Sequence, residues 1–240
     1  MHPEICKIGF FTIHSYGLML AIAVIVCSFA LSRDAQRFNI AKEFIFDLVF
    51  WLMTGGILGA RLFYIASNFS FFAQNPVEMV MIQRGGLSWQ GGLVLGCLTG
   101  IWFTRKNKIS LPLVLDLSAP YLALGQAIGR IGCFLNGCCY GKESAWGIYF
   151  PVHQARLYPT QLFCSFGLLI VFFVLKHFQK NSKIRGQIFV LYLLFASSLR
   201  FVIEFFRADH VNLMFGLSLY QYICLGLIGV AMMINARLRK

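Results

Sequence analysis

Apolar positions run along this chain in long blocks, separated by short polar joints. Seven blocks fall near 16–32, 44–66, 86–104, 111–140, 160–178, 186–206 and 214–236. All but the fourth have roughly the 17 to 25 residues that a helix needs to cross about 30 Å of hydrocarbon. The pattern predicts an all-α bundle of seven transmembrane helices. The first block lacks a basic leading region and a small-residue cleavage site, so it reads as a retained span. The fourth is overlong and is expected to tilt or break near its glycines. No linker, low-complexity stretch or fixed-period repeat divides the chain, so residues 1–240 read as a single transmembrane domain, with a small outer cap around 141–158.

Composition and charge narrow the class. With 58% hydrophobic and 12% charged residues, the chain lies far from soluble proteins, in which about 25% are charged. A net charge of +12 invites a nucleic-acid reading, but the basic residues form no single patch. They collect in alternate joints: Arg33, Arg37 and Lys42; Arg105, Lys106 and Lys108; Lys180, Lys183 and Arg185; Arg237, Arg239 and Lys240. The other joints hold only Lys7, Arg84, Lys142 and Arg156, and Arg207. Positive charge marks cytoplasmic loops. The N-terminus is therefore expected outside and the C-terminus in the cytoplasm, with membrane lipids and no nucleic acid as partners. The eight cysteines show no repeated C-x-x-C pair and no nearby histidine pair, which counts against a metal site or disulfide framework. Cys133, Cys138 and Cys139 are the exception, close enough to the outer surface to be redox-active.

Polar groups inside the blocks carry the candidate chemistry. Gly92, Gly96 and Gly100, like Gly55 and Gly59, recur every four residues and read as helix-packing faces. The charged residues Asp47, Arg61, Asp116, Arg130, Arg200 and Glu204 are another matter, because ionisable groups in hydrocarbon are costly and usually functional. Arg200, Glu204 and Arg207 fall at i, i+4 and i+7, which pairs two charges and leaves one guanidinium over, with Asp209 just beyond. Arg130 lies on the glycine-studded stretch 125–141, at the same outer depth. Two guanidiniums there suit an anion, because their forked donors match phosphate oxygens. An internal salt-bridge network is the alternative. Ser88 and Gln90, beside two paired glycines, and His14 and Tyr16 at the start of the first span, lie at similar depth. The residues point to an outward-opening membrane site for a ligand with an anionic head group, such as a phospholipid, and name no reaction.

Five ordered motifs resemble the bacterial prolipoprotein diacylglyceryl transferase family over essentially the whole chain. The segment Gly129-Arg130-Ile131-Gly132-Cys133-Phe134-Leu135-Asn136-Gly137-Cys138-Cys139-Tyr140-Gly141 is similar to that family's G-R-x-G-N-F-x-N-G-E-x-x-G. His14 to Leu18 resembles H-x-Y-G-L, Gly55 to Tyr64 resembles G-x-R-x-x-Y, and Tyr158 to Leu162 resembles H-P-[ST]-Q-L. Arg200 to Asp209 resembles R-x-x-x-E-x-x-R-x-x-D with one residue fewer before the aspartate.

The resemblance implies a seven-helix enzyme of the bacterial inner membrane. Such an enzyme moves diacylglyceryl from phosphatidylglycerol onto the thiol of a lipobox cysteine in a secreted prolipoprotein, releasing glycerol phosphate without cofactor or metal. Carried over, Arg130 and Arg207 hold the phosphate, Tyr16 and Asn136 orient head group or thiol, and His14, Arg61, Gly141, Gln161 and Glu204 complete the substrate site. Three departures weaken the acid–base equipment. Gln90 stands where the family has a histidine, and it cannot accept a proton. The signature's first asparagine and its glutamate become Cys133 and Cys138, and the histidine and last glutamate of H-P-[ST]-Q-L-Y-E become Tyr158 and Cys164. A divergent lipid-binding paralogue with another acceptor, or no transfer at all, is the alternative. A transporter is a third reading, but the paired broken segments of such folds are missing.

Overall fold

A computed structural model describes residues 4–8, 11–81, 85–182, 184–208 and 216–238. Arg84, Lys183, Asp209, Arg239 and Lys240 lie outside them. The chain is mostly helical: α1 (Ser15–Ala35), α2 (Lys42–Ser67), the short α3 (Phe69–Gln74), α4 (Trp89–Lys106), α5 (Leu111–Asn136), α6 (Thr160–Asn181), α7 (Gln187–Glu204) and α8 (Leu219–Leu238). Among the described residues, six helices are long and apolar enough to cross a membrane. The glycine-rich α4 is not one of them. The helices turn large apolar side chains outward, including Phe50, Leu62, Phe166, Phe173 and Met233. Such a surface suits hydrocarbon rather than water, and the chain is a multi-pass membrane protein.

The all-α expectation needs one correction. Two short antiparallel hairpins accompany the helices, β1 (Glu4–Ile8) with β2 (Phe11–His14) and β3 (Glu143–Phe150) with β4 (Ala155–Leu157). The second occupies the segment expected as a cap, and Trp146 on it is 92% exposed.

The contacts divide the chain into two compact units, Ser32–Val114 and the remainder. In the Ser32–Val114 unit, α2 and α4 meet backbone to backbone. A Cβ on Gly59 would run into the Gly91 carbonyl, one on Gly91 into the Gly59 carbonyl, and one on Gly55 into Thr99. The glycine rows therefore serve packing, as their spacing predicts. The expected start of this span at 86 is too early by three residues. Gly85 and Gly86 hold φ of 86° and 75°, a left-handed conformation that no α-helix continues through.

In the other unit, α5, α6 and α7 enclose the core. Ala119, Ala123 and Ala127, four residues apart on α5, pack against Leu168, Val171 and Leu175 of α6 and Ile188, Tyr192 and Ile203 of α7. The small face lets three helices approach closely. Asp116 satisfies the orphan N–H groups of α7, accepting from Gly186 and from Phe189 at 2.9 Å. One intramembrane charge is thereby a helix cap. On α1, Tyr16 and Met19 lie against Gly132, and Cys27 against Gly125.

Of the fourth span's glycines, Gly125, Gly129 and Gly132 do not break the helix, whereas Gly137 ends it. Helix α5 is one element with Pro120 inside it, and it ends at Asn136 rather than 140. Gly137 has φ of 76°. The Cys138 amide donates to the Cys133 carbonyl and the Gly137 amide to Phe134, each at 3.1 Å. This pair of bonds is the Schellman ending, in which a left-handed glycine closes the helix.

Candidate active site

Beyond Gly137 the chain enters a junction of three strands of backbone. Gly141 donates to the Tyr158 carbonyl at 2.9 Å, Lys142 to Phe206 at 2.8 Å, and Tyr158 to Lys142 at 3.1 Å. Gly141 forms an isolated bridge with Arg207. A Cβ on Gly141 would sit 2.6 Å from the Phe206 carbonyl and 2.7 Å from the Tyr158 Cβ. Glycine at 141 is what allows the ends of α5 and α7 and the approach to α6 to meet. Thr160 and Gln161, both buried at the start of α6, fasten the turn by donating to the Cys139 carbonyl at 2.9 Å and the Cys138 carbonyl at 2.6 Å.

This junction gathers the cations. Helix α7 stops at Glu204, so Arg207 does not continue its face as the i, i+4, i+7 spacing implies. The last residues tighten into a turn in which the Arg207 amide donates to the Glu204 carbonyl at 3.2 Å. The Arg200 guanidinium lies 2.6 Å from the Glu204 carboxylate and Arg207 Nε 3.6 Å from the same oxygen. The expectation of a guanidinium left over at 207 is thereby corrected, since Arg207 shares Glu204 and is itself only 8% exposed. Arg130, near the end of α5, lies within electrostatic reach of both Arg200 and Arg207. Among the described residues it has no carboxylate at salt-bridge distance. Arg200 and Arg207 therefore share Glu204, and Arg130 adds a third guanidinium to the cluster.

A serine completes the arrangement from α8. Ser218 caps that helix reciprocally with Gln221: its hydroxyl accepts from the Gln221 amide at 3.3 Å, and its own amide donates to the Gln221 side chain at 2.8 Å. The same hydroxyl donates to the buried Glu204 at 3.2 Å, and the Tyr220 ring lies 5.5 Å from the Arg200 guanidinium. Cys133, Cys138 and Cys139 bring their sulfurs within 4.8 Å of one another beside Arg207. Cys139 lies past the end of α5. Contacts from the Cys133 and Cys138 thiols, and then the Arg207 guanidinium, hold the Cys139 thiol well below the ordinary thiol range.

The remaining expected residues distribute unevenly. Tyr16 is exposed and within electrostatic reach of Arg130 and the three thiols. Asn136 is half-buried at the end of α5, and His14 is exposed where β2 runs into α1. Gln161 has its side-chain oxygen buried without a hydrogen-bond partner. Gln90 and Arg61 belong to the Ser32–Val114 unit. Gln90 is exposed and accepts from the Ser88 hydroxyl at 2.8 Å. Arg61 is 7% exposed and gives its guanidinium to carbonyls of its own loop, Glu78, Met79, Met81, Gly85 and Gly86. A substrate-binding role for Arg61 has no donor left to use. The sequence reading missed the part of Ser218, although Ser218-x-x-Gln221 is a capping signal, and it left Arg200 outside the site.

The model for the family described as prolipoprotein diacylglyceryl transferase matches residues 3–237. The chain belongs to this family. Among its relatives, the phosphatidylglycerol–prolipoprotein diacylglyceryl transferase of Bacillus cereus is 31% identical over 98% of this chain and 91% of its own length. The proteins of that name from Staphylococcus carnosus and Geobacter sulfurreducens are 31% and 32% identical, over 99% and 88% of this chain and 91% and 84% of their own lengths. As a member, the chain is a transferase of lipoprotein biosynthesis.

Proposed function

We propose that this chain transfers diacylglyceryl from phosphatidylglycerol to the lipobox cysteine of secreted prolipoproteins in the bacterial plasma membrane. The observation that carries the reading is the gathering of Arg130, Arg200 and Arg207, in which Arg130, among the described residues, has no carboxylate at salt-bridge distance. A phosphodiester brought to Arg130 and Arg207 meets two guanidiniums whose forked donors suit its oxygens. In the transfer, the acceptor sulfur attacks the glyceryl carbon and the carbon–oxygen bond to phosphate breaks. Glycerol phosphate leaves with the electron pair, and the guanidiniums stabilise the charge growing on it. The thiol must lose its proton first, because a free thiol with pKa about 8.5 is mostly protonated at neutral pH. Gln90 cannot accept that proton, so it passes to Tyr16, His14 or water. Tyr16 and Asn136 orient head group or thiol. Glu204 positions the arginines, and Gly141 and Gln161 hold the turn that presents them.

In this reading all seven long helices cross the bilayer as one domain, with the N-terminus outside and the C-terminus in the cytoplasm, and the site opens outward. Membranes containing the protein are expected to convert a lipobox peptide and labelled phosphatidylglycerol to a thioether product. Absence of product under conditions where a relative works rejects the proposal.

Gln90 supports a second reading, a lipid-binding paralogue that lacks the transfer step. The Gln90→His variant separates the two. A large gain in rate means the chemistry had been lost with the imidazole, and an unchanged rate means that another group takes the proton.

A further inference from the structure

The turn that ends α5 gathers three thiols that the transfer chemistry does not use. Cys133 and Cys138 face each other because the Schellman ending folds the residue after Gly137 back over Cys133, the fourth-last residue of the helix. Cys139 joins them through its own left-handed backbone, with φ of 60°, a conformation that only a few per cent of non-glycine residues adopt. The hydrogen bonds from Thr160 and Gln161 to the carbonyls of Cys139 and Cys138 keep the turn in that shape.

The geometry of the three sulfurs suits one ion. Bonds of about 2.3 Å from a central metal to three thiolates in a plane place the sulfurs about 4 Å apart. The spacing here is at most 4.8 Å, so closing on an ion needs less than about an ångström of movement. Zinc in a structural site takes a fourth protein ligand, and among the described residues no imidazole or carboxylate joins the three sulfurs. Hard ions need oxygen donors. Thiolates alone select a soft ion, and the Arg207 guanidinium against Cys139 offsets part of the negative charge that three thiolates bring.

We propose that Cys133, Cys138 and Cys139 form a three-thiolate site for a soft cation of the copper(I) class, with Arg207 as its outer partner. Binding displaces the thiol protons to solvent and changes the oxidation state of neither sulfur nor metal. The proposal stands apart from the transferase reading, and either can fail without the other.

The test uses the full chain in detergent, reduced and kept free of oxygen, titrated with copper(I) against a competing chelator. The protein is expected to take one equivalent from the chelator, and alkylation of Cys133, Cys138 and Cys139, mapped by mass spectrometry, is expected to slow when the ion is present. Replacing all three by serine is expected to abolish the uptake, and Cys97→Ser, outside the cluster, to retain it. Arg207→Gln is expected to weaken binding about tenfold, the usual loss for an outer partner. Failure of the wild type to take up copper(I), uptake without protection of the three thiols, or uptake retained by the triple variant overturns the proposal. If the triple variant does not fold, the protection pattern in the wild type decides alone.

Discussion

Two regions of this molecule each hold buried arginine, and they treat it in opposite ways. Arg61 has five N–H donors and five carbonyl acceptors, with Nε on Met79, Nη1 on Gly85 and Gly86, and Nη2 on Glu78 and Met81. Its guanidinium also lies 5.3 Å from the Phe72 ring. Nothing is left for a ligand, and the arginine serves to fold the loop onto α2. At the ends of α5 and α7, by contrast, Arg200 and Arg207 share the carboxylate of Glu204, and Arg130 beside them has, among the described residues, no carboxylate at salt-bridge distance. A guanidinium away from water without compensation is expensive, and the proposed function gives Arg130 an anion. The number of acceptors per guanidinium separates a structural arginine from a binding one.

Substitution at the two sites should part stability from activity. Arg130→Ala is expected to lower transfer by about 10²- to 10³-fold, the usual loss when one preorganised charge-stabilising donor is removed. Thermal stability in detergent should change little. Transfer at the wild-type rate by purified Arg130→Ala protein would break the comparison. Arg61→Ala should do the reverse, costing about 3 kcal/mol or more, because buried carbonyls lose charged donors. Thermal unfolding reads that loss, and the folded fraction should lose less activity than Arg130→Ala does. Lysine should not rescue position 61, since an ammonium has three donors for five carbonyls. Between these lies Gly141→Ala. Its Cβ would press on the Phe206 carbonyl and move the bridge to Arg207. A loss of about 1–3 kcal/mol is expected together with a weaker KM for the lipid, and an unchanged KM would separate the turn from the phosphate grip.

How much of this was written in the sequence depends on whether the cause is local. Apolar block length located the long helices, and four-residue glycine spacing located the α2–α4 contact, because both depend on neighbours along the chain. Boundaries failed where several glycines competed. Gly125 and Gly132 lie inside α5 against Cys27, Met19 and Tyr16, whereas Gly137 ends the helix. Composition alone does not say which glycine turns left-handed. Residues 141–158 are expected as a cap but not as a hairpin, because β3 does not alternate buried and exposed positions as a half-buried strand does. Arg61 and Arg130 look alike as intramembrane cations, and only the carbonyls of a loop about 20 residues further on, a distance in the chain read from the hydrogen bonds, tell them apart. The sequence singles out Cys133, Cys138 and Cys139 as a group, but the approach of their sulfurs to within 4.8 Å depends on the left-handed Gly137 and Cys139.

Two smaller predictions sharpen the contrast at its carboxylates. Asp116→Ala removes the acceptor for the Gly186 and Phe189 amides at the start of α7 and is expected to cost about 1–2 kcal/mol, with no change in lipid KM for the folded protein. Ser218→Ala has the least effect on stability, about 1 kcal/mol for a lost helix cap, yet its consequence reaches the site. The Ser218 hydroxyl both accepts from Gln221 and donates to Glu204. Losing that donor frees one Glu204 oxygen to draw more strongly on Arg200 and Arg207, so lipid KM should rise about two- to threefold, less than 1 kcal/mol of binding. Ser218→Asp keeps a cap for α8 but sets a second carboxylate beside Glu204. If Glu204 limits the positive charge available to the lipid, this variant should retain stability and lose more affinity than Ser218→Ala. Equal affinity in the two variants would mean that the serine acts on α8 alone.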